Sequence, residues 1–358
     1  MQQATSHASS PATSECRQGS RTGDGFPARI KIEMLPKIAF IGTGGTIASI
    51  GTNSFDLLDY SASEKWVDAA TLIESGGIQG VVADIMPINF RQIDSTAVSS
   101  QDWSELAQAC SELATEPDVA GIVIGHGTAS LEETAWALSL VLDVKKPVVL
   151  TGSMRPLTGI STDAHANLAA AVRVASTPGL AGVFVVINDE IHSPRTVIKT
   201  HTLRLGAFQS PWVGPIGYVD GPHVRLPRYD ERKHPIFSPD LLRKLPRVDI
   251  AHSHIGADGV GIQAYIAAGA RGIVSAGFGP GMTTPAEFSA IVDAVAQGVI
   301  VVQSSRTNSG LVVDSNKNKR SGIIAGSDIG PVKARILLAL CLAQGDSSEE
   351  IKRRFMSL

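Results

Sequence analysis

Apolar residues along this chain come in short unbroken runs that stop at turn residues and give way to segments with helical spacing. Lys37–Ile41, Gly121–Ile124, Pro147–Leu150 and Gly182–Ile187 lack the in–out alternation of a half-exposed strand and read as buried strands. Between the second and third runs, Leu131, Ala135, Leu138 and Leu142 fall on one helical face, and Ser130 with Glu133 has the Ser-x-x-Glu spacing of a capping box. Asp163–Ala175 predicts another helix, with Asn167, Leu168, Ala171 and Val172 on overlapping faces. Strands alternating with helices predict a mostly parallel, doubly wound sheet.

Asp94–Trp103 reads as a loop entering a helix, with Ser100 as its cap. Pro211–Arg247 changes character: it is rich in Pro, Arg, Lys and Asp, has little periodicity, and reads as a linker or inter-domain excursion. The alternation resumes at Val248–Ala251, Gly272–Ser275 and Val299–Gln303, which predicts a smaller α/β domain from about Arg247 onward. The expected division is residues 1–35 as a disordered extension, 36–227 as the larger domain, 228–246 as a linker and 247–358 as the smaller domain.

Two strand ends carry chemistry. Ile38–Ser49 (IAFIGTGGTIAS) and Ile122–Glu133 (IVIGHGTASLEE) both run strand, glycine turn, threonine. Strand ends in such sheets open on a crevice lined by helix N-termini, so Thr46 is a nucleophile candidate. Gly42 and Gly44 begin a dinucleotide-binding fingerprint, but Ile47 stands where its third glycine belongs, and no Gly-Lys-Ser/Thr follows. The plainer alternative is a tight turn whose threonine caps a helix. Thr128 has the same alternative, strengthened by Ser130 beside it. His126 reads as a base, a ligand or a packed strand-end residue, and packing is the commoner role. Lys199, in Arg195–His201 (RTVIKTH), is either an exposed loop lysine or a partly buried one with a lowered pKa. His252 and His254 share a strand face, but a metal site needs a third ligand that the neighbourhood does not supply. No metal is expected.

The bulk numbers narrow the class. The 358 residues exceed the usual single core and suffice for two domains. With 43% hydrophobic and 18% charged residues the chain is too apolar for a disordered one. A net charge of −3 gives no reason to expect nucleic acid or a membrane surface as partner. Cys16, Cys110 and Cys341 are odd in number and widely spaced, which fits a reducing compartment better than a disulfide framework. No apolar run has the length of a membrane span, so the cytoplasm is the expected location.

Taken together, Thr43–Ser49 (TGGTIAS), Gly125–Leu138 (GHGTASLEETAWAL), Pro147–Pro156 (PVVLTGSMRP), Arg195–Thr200 (RTVIKT) and Gly272–Gly277 (GIVSAG) resemble the motifs of the bacterial-type L-asparaginases, which include glutaminase-asparaginases, in their order and spacing. The resemblance runs from about Leu35 to the C-terminus. It implies a large flavodoxin-like domain followed by a smaller α/β domain, and an amidohydrolase that needs no cofactor. It further implies a homo-oligomer, a tetramer or dimer, with active sites built between subunits.

The resemblance also assigns roles. Thr46 corresponds to the primary nucleophile, Tyr60 to the loop tyrosine that activates it, Thr128 to the second catalytic threonine and Lys199 to its lysine partner. Ser95, next to Thr96, matches the serine that grips the substrate's α-carboxylate. Gly127 belongs to the second turn, and the main chain around Ser153 matches the segment that meets the carboxamide nitrogen. The departure falls at Ala129, where the family carries an aspartate that pairs with the substrate's α-ammonium. The second acidic group of that pocket falls near Val312–Asn318, where Asp314 is the one acid. The expected substrate is L-asparagine or a close analogue without a free α-ammonium; a non-catalytic binding relative is the further alternative.

Overall fold

The computed structural model describes residues 35–63, 65–228, 237–307 and 309–358. The extension expected before Leu35, Cys16 within it, and part of the expected linker lie outside the described residues.

The larger sheet has eight strands: β1 (Lys37–Gly42), β2 (Asp84–Asn89), β3 (Val119–Gly125), β4 (Pro147–Thr151), β5 (Gly182–Ile187) and β6 (Glu190–His192), with β9 (Gly217–Asp220) and β10 (His223–Arg225). A short ribbon, β7 (Ile198–Lys199) with β8 (Phe208–Gln209), stands apart from it. The spatial order is β10-β9-β6-β5-β4-β3-β1-β2; the five strands from β2 to β5 are parallel and the remaining three antiparallel. The smaller sheet is wholly parallel, in the order β11 (Val248–His252), β12 (Gly272–Gly277), β13 (Ile300–Ser305) and β14 (Ile324–Ala325). The helices are α1 (Ala69–Ser75), α2 (Ser100–Thr115), α3 (Leu131–Val141), α4 (Ala164–Ala175), α5 (Val260–Ala267), α6 (Pro285–Ala296), α7 (Asn316–Arg320), α8 (Pro331–Gln344) and α9 (Ser348–Ser357). Among the described residues no helix is long and apolar enough to cross a membrane.

The period-two geometry of the strands divides the core. Ile38 and Phe40 face one way and pack with Leu72, Leu168 and Val172 of α1 and α4. Ala39 and Ile41 face the other way, into a cluster with α2 and α3 that continues to α8, α9, Val274 and Val302. That buried cluster therefore runs from the large sheet to the small one, and α8 serves both. Cys110 and Cys341 are buried within it, and neither is in a disulfide.

Three local expectations need correction. Ser130 does sit at the N-cap of α3, but its hydroxyl donates to the Ser95 carbonyl (2.5 Å) instead of closing a capping box with Glu133. The cap of α2 is Ser99, one residue before the expected Ser100: its hydroxyl and the Asp102 carboxylate form a reciprocal box. Pro211–Arg247 is only partly a connection, because β9 and β10 within it extend the large sheet and a 3-10 segment, Pro239–Lys244, packs against α2. Antiparallel edge strands of three or four residues are too short to leave a readable period.

Candidate active site

In the parallel part of the large sheet, the chain turns one way after β1 and the other way after β3, and the crevice at the carboxyl ends of these two neighbours is where open α/β sheets bind ligands. Both glycine turns sit there. Thr43 ties them: its amide and hydroxyl both donate to the Gly125 carbonyl, at 3.0 and 2.9 Å. The turns then touch through bare backbone. A Cβ on Gly45 would lie 2.3 Å from Gly127 Cα, and Gly45 holds φ at 74°, so no side chain fits on either count.

Thr46 opens a single 3-10 turn and is half-buried. Its Oγ1 lies 2.9 Å from the Tyr60 hydroxyl. Tyr60 arrives on the 51–63 excursion, which is pinned at several points. Leu157 N–H donates to Ser49 (3.0 Å), Ile160 N–H to Ser54 (2.7 Å), and Gly51 N–H to Thr158 Oγ1 (2.9 Å). Only the family resemblance pointed to this tyrosine, since no local pattern positions it, and the structure brings it onto the first threonine.

Thr128 is 6% exposed, and Lys199 Nζ donates to its Oγ1 at 2.8 Å. The alternative of an exposed loop lysine is overturned: the β7–β8 ribbon lays Lys199 against the turn, and its amide donates to Glu132 Oε2 at 2.7 Å. Burial pushes the Lys199 pKa below the usual lysine value, against the opposing pull of Glu132. Burial pushes the Glu132 carboxyl up, with Lys333 and Lys199 holding it down. Lys333, on α8, is 4% exposed and pushed down to about 7 by burial, although Glu132 favours its charge. Its ammonium donates to the Val197 carbonyl. A half-buried carboxyl group thus lies near two lysines, Lys199 half-buried and Lys333 buried, which offset the cost of its burial.

His126 takes the packing role. It is 1% exposed, its Nδ1 lies 2.8 Å from the Gly127 carbonyl, and its Nε2 lies 3.0 Å from Thr134 Oγ1. Trp103 Nε1 donates to the same threonine oxygen at 2.9 Å. One proton arrangement satisfies all three: Thr134 donates to Nε2, and a neutral imidazole donates through Nδ1 to Gly127. Burial pushes His126 down to about 4, in keeping with a neutral ring.

Ser95 lies in a 3-10 turn after β2, and its Oγ accepts from the Ala129 amide (3.1 Å). A Cβ on Gly127 would lie 2.7 Å from that oxygen, so Gly127 is bare to let Ser95 in. Thr96 beside it is exposed. Ser153 is fully buried and donates to the Arg155 carbonyl (2.6 Å). Its segment is braced by Asp163, which accepts from the amides of Met154 and Arg155 and from Asn167 (2.9, 3.0 and 2.9 Å). Gly152 presses on the second turn: a Cβ there would meet the His126 carbonyl at 2.5 Å and Thr128 Cγ2 at 3.1 Å.

Ala129 is exposed at the mouth of this arrangement. Asp314 is engaged elsewhere, with Lys319 at 3.2 Å and Lys352 at 3.7 Å. His252 and His254 are both exposed at the end of β11. Among the described residues no group of three His, Cys, Asp or Glu side chains is placed to hold a metal ion. Sequence reasoning missed Glu132, Lys333, Thr134 and the Asp163–Asn167 brace. The one signal for Lys333 was a lysine inside the otherwise apolar run of α8.

Known proteins carry the same arrangement of domains. The Asparaginase, N-terminal family model matches residues 37–232, and the Glutaminase/Asparaginase C-terminal domain model matches residues 247–355. L-asparaginase 2 of Bacillus subtilis is 36% identical over 326 residues, 90% of this chain and 86% of its own. The glutaminase-asparaginase of Pseudomonas fluorescens is 35% identical over 329 residues, 90% of each chain. The crystal structure of a probable cytoplasmic L-asparaginase from Campylobacter jejuni superposes with a TM-score of 0.83 at 36% identity, covering 89% of this chain and 99% of that one.

Proposed function

The chain belongs to the asparaginase family of amidohydrolases, and we propose that it releases ammonia from the side-chain amide of L-asparagine or a close analogue through a threonyl ester on Thr46. The observation that carries this reading is the 2.9 Å approach of the Tyr60 hydroxyl to Thr46 Oγ1, at the first of two facing turns. A threonine hydroxyl attacks poorly unless a neighbour takes its proton. Tyr60 takes it and relays it to the leaving nitrogen as Thr46 Oγ1 bonds to the amide carbon. Ammonia departs and leaves the ester. Water, activated at the Thr128–Lys199 pair, then attacks the ester carbon and restores the Thr46 hydroxyl. Among the described residues the amides of Thr46 and Thr128 form no hydrogen bond, which leaves them free to bind the oxyanion. One such donor contributes about 3–4 kcal/mol to a transition state.

A second reading concerns the substrate's other end and rests on Ala129, which is exposed and offers no charge. Removing the carboxylate that faces a desolvated ammonium weakens binding by about 2–5 kcal/mol. The preferred amide then lacks a charged α-nitrogen. Ser95 and Thr96 hold its carboxylate, and the backbone of Gly127 and Ser153 borders the amide.

The test is ammonia release from L-asparagine, D-asparagine, L-glutamine, N-acetyl-L-asparagine and succinamate, with Thr46→Ala as the blank. Turnover of L-asparagine far above all others overturns the second reading and keeps the first. Turnover of none of them above the blank overturns both in favour of a binding relative. A homodimer or homotetramer is part of the proposal; a monomer in sedimentation at assay concentration would remove it.

A further inference from the structure

A cavity of about 520 Å³ has Ser95, Thr96 and Ala129 in its wall. Ser95 Oγ accepts from the Ala129 amide at 3.1 Å, so the cavity wall includes the residue that directly follows Thr128. Its far wall comes from other parts of the chain: Trp103 of α2, Leu245 before β11, and Ile336 of α8. Arg247 and Arg335 add two cations and Glu133 one carboxyl group, and Arg247 is paired with Asp249 at 2.7 Å. Arg335 is partly committed, since its Nε donates to the Val248 carbonyl at 3.0 Å. Burial pushes the Glu133 carboxyl up while Arg335 opposes.

The volume falls in the range of roughly 300–1,000 Å³ that holds drug-sized ligands, far more than a four-carbon amino-acid amide fills. The lining is mixed: seven apolar residues, Trp103 the one aromatic among them, stand beside four serines, Thr96, Glu133 and two arginines. A carboxylate at position 129 would put a charge on the cavity wall; the methyl group of Ala129 puts none.

Resting on the amidase reading above, we propose that this cavity is a subsite for an acyl group on the substrate's α-nitrogen, so that the enzyme acts on N-acyl asparagines with an apolar acyl chain. Acylation removes the ammonium that Ala129 cannot pair with, and the chain then runs from Ala129 along Trp103, Leu245 and Ile336. Each methylene buried on that path improves transition-state binding about fourfold. The reaction at the side-chain amide is unchanged, and ammonia remains the product.

The experiment compares kcat/KM for succinamate, N-acetyl-L-asparagine and N-hexanoyl-L-asparagine, read as ammonia release by the full chain. The expected result is at least a tenfold gain from acetyl to hexanoyl. Leu245→Trp and Val98→Trp fill the cavity from two partly exposed positions, and each is expected to cut that gain below threefold. Either variant suffices if the other fails to fold. Turnover of succinamate or the acetyl compound with no gain for hexanoyl overturns the subsite and leaves the amidase reading standing. So does a gain that survives both cavity-filling variants. Ammonia from none of the three overturns the subsite together with the second reading of the site.

Discussion

The two threonine turns have nearly the same sequence pattern and very different surroundings. Thr46 is half-buried and meets a tyrosine carried on an excursion pinned mainly by backbone hydrogen bonds. Thr128 is buried and held by a half-buried lysine, which is fixed by Glu132, which lies near the buried Lys333. Beneath it, His126, Thr134 and Trp103 form a closed hydrogen-bonded chain. The first turn is thus completed by a separate segment of chain, and the second by side-chain pairs that are already in place. That division suits a reaction in which a nucleophile must be uncovered and a water-activating pair must stay in place.

The widest separation between the turns should appear on deleting the proposed nucleophile. Thr46→Ala is expected to lower kcat by ~10⁴-fold or more, because nothing else on the first turn replaces an attacking oxygen. Adding Lys199→Met to that variant should cost little more, since groups that act in sequence on one intermediate are not additive once the intermediate is gone. A double variant that loses another large factor would mean that the second turn acts independently of the first.

Next in size is the second turn itself. Lys199→Met is expected to cost about 10²–10⁴-fold in kcat, the range for a general base. Lys199→Arg separates charge from basicity. Burial lowers the Lys199 pKa, so the neutral amine becomes available below the usual lysine value, whereas a guanidinium stays charged. The arginine variant should be nearly as slow as the methionine one. The wild-type kcat should fall on the acid side as the amine protonates, and this limb should vanish in both variants. A fast arginine variant would reassign Lys199 to a purely electrostatic role.

Tyr60→Phe ranks third, with about a hundredfold loss in kcat expected for removing the proton relay while leaving the ring. The variant keeps the pinned excursion, so KM should change little. A large rise in KM with kcat intact would show that the tyrosine closes the site without taking part in the chemistry.

How much of this was legible follows from the physics of each element. Buried parallel strands need continuous apolar runs, so β1, β3, β4, β5 and the first three strands of the small sheet stood out in the sequence. β2 did not, because it is an edge strand that alternates and contains Pro87. Thr46 and Thr128 were visible as strand-end threonines, since their position follows from local sequence. Glu132 was hidden in plain sight: it lies in the quoted motif, but its partner Lys199 is 67 residues away and only the ribbon joins them. Lys333 is further still, on a helix of the smaller domain. Long-range pairing of buried charges leaves no periodicity to read. The same holds for Ser130, whose hydroxyl answers to Ser95, 35 residues earlier, and not to the cap that its neighbours suggest.

The smallest effect tests the chain beneath the second turn through stability. His126 has a folded pKa of about 4 against about 6.5 for a free histidine, because burial disfavours the cation. Well above pH 6.5 neither state binds the proton and stability is unaffected. As pH falls from 6.5 toward 4, the unfolded chain takes up the proton and the folded one does not, so stability drops. The full difference is about 3 kcal/mol, reached near pH 4. His192 is also pushed down to about 4, first by burial and then by Lys333, and adds a loss of the same sign. Urea midpoints at pH 7 and pH 5 should therefore differ. The gap should narrow in His126→Gln and narrow again when His192→Gln is added. Thr134→Val, which strands the Trp103 N–H and the His126 Nε2, should cost about 1–3 kcal/mol at pH 7. It should leave the pH gap open, because it does not remove the buried ring. If Thr134→Val instead closes the gap, the imidazole is held neutral by its hydrogen bond to that hydroxyl, and burial is not the dominant cause.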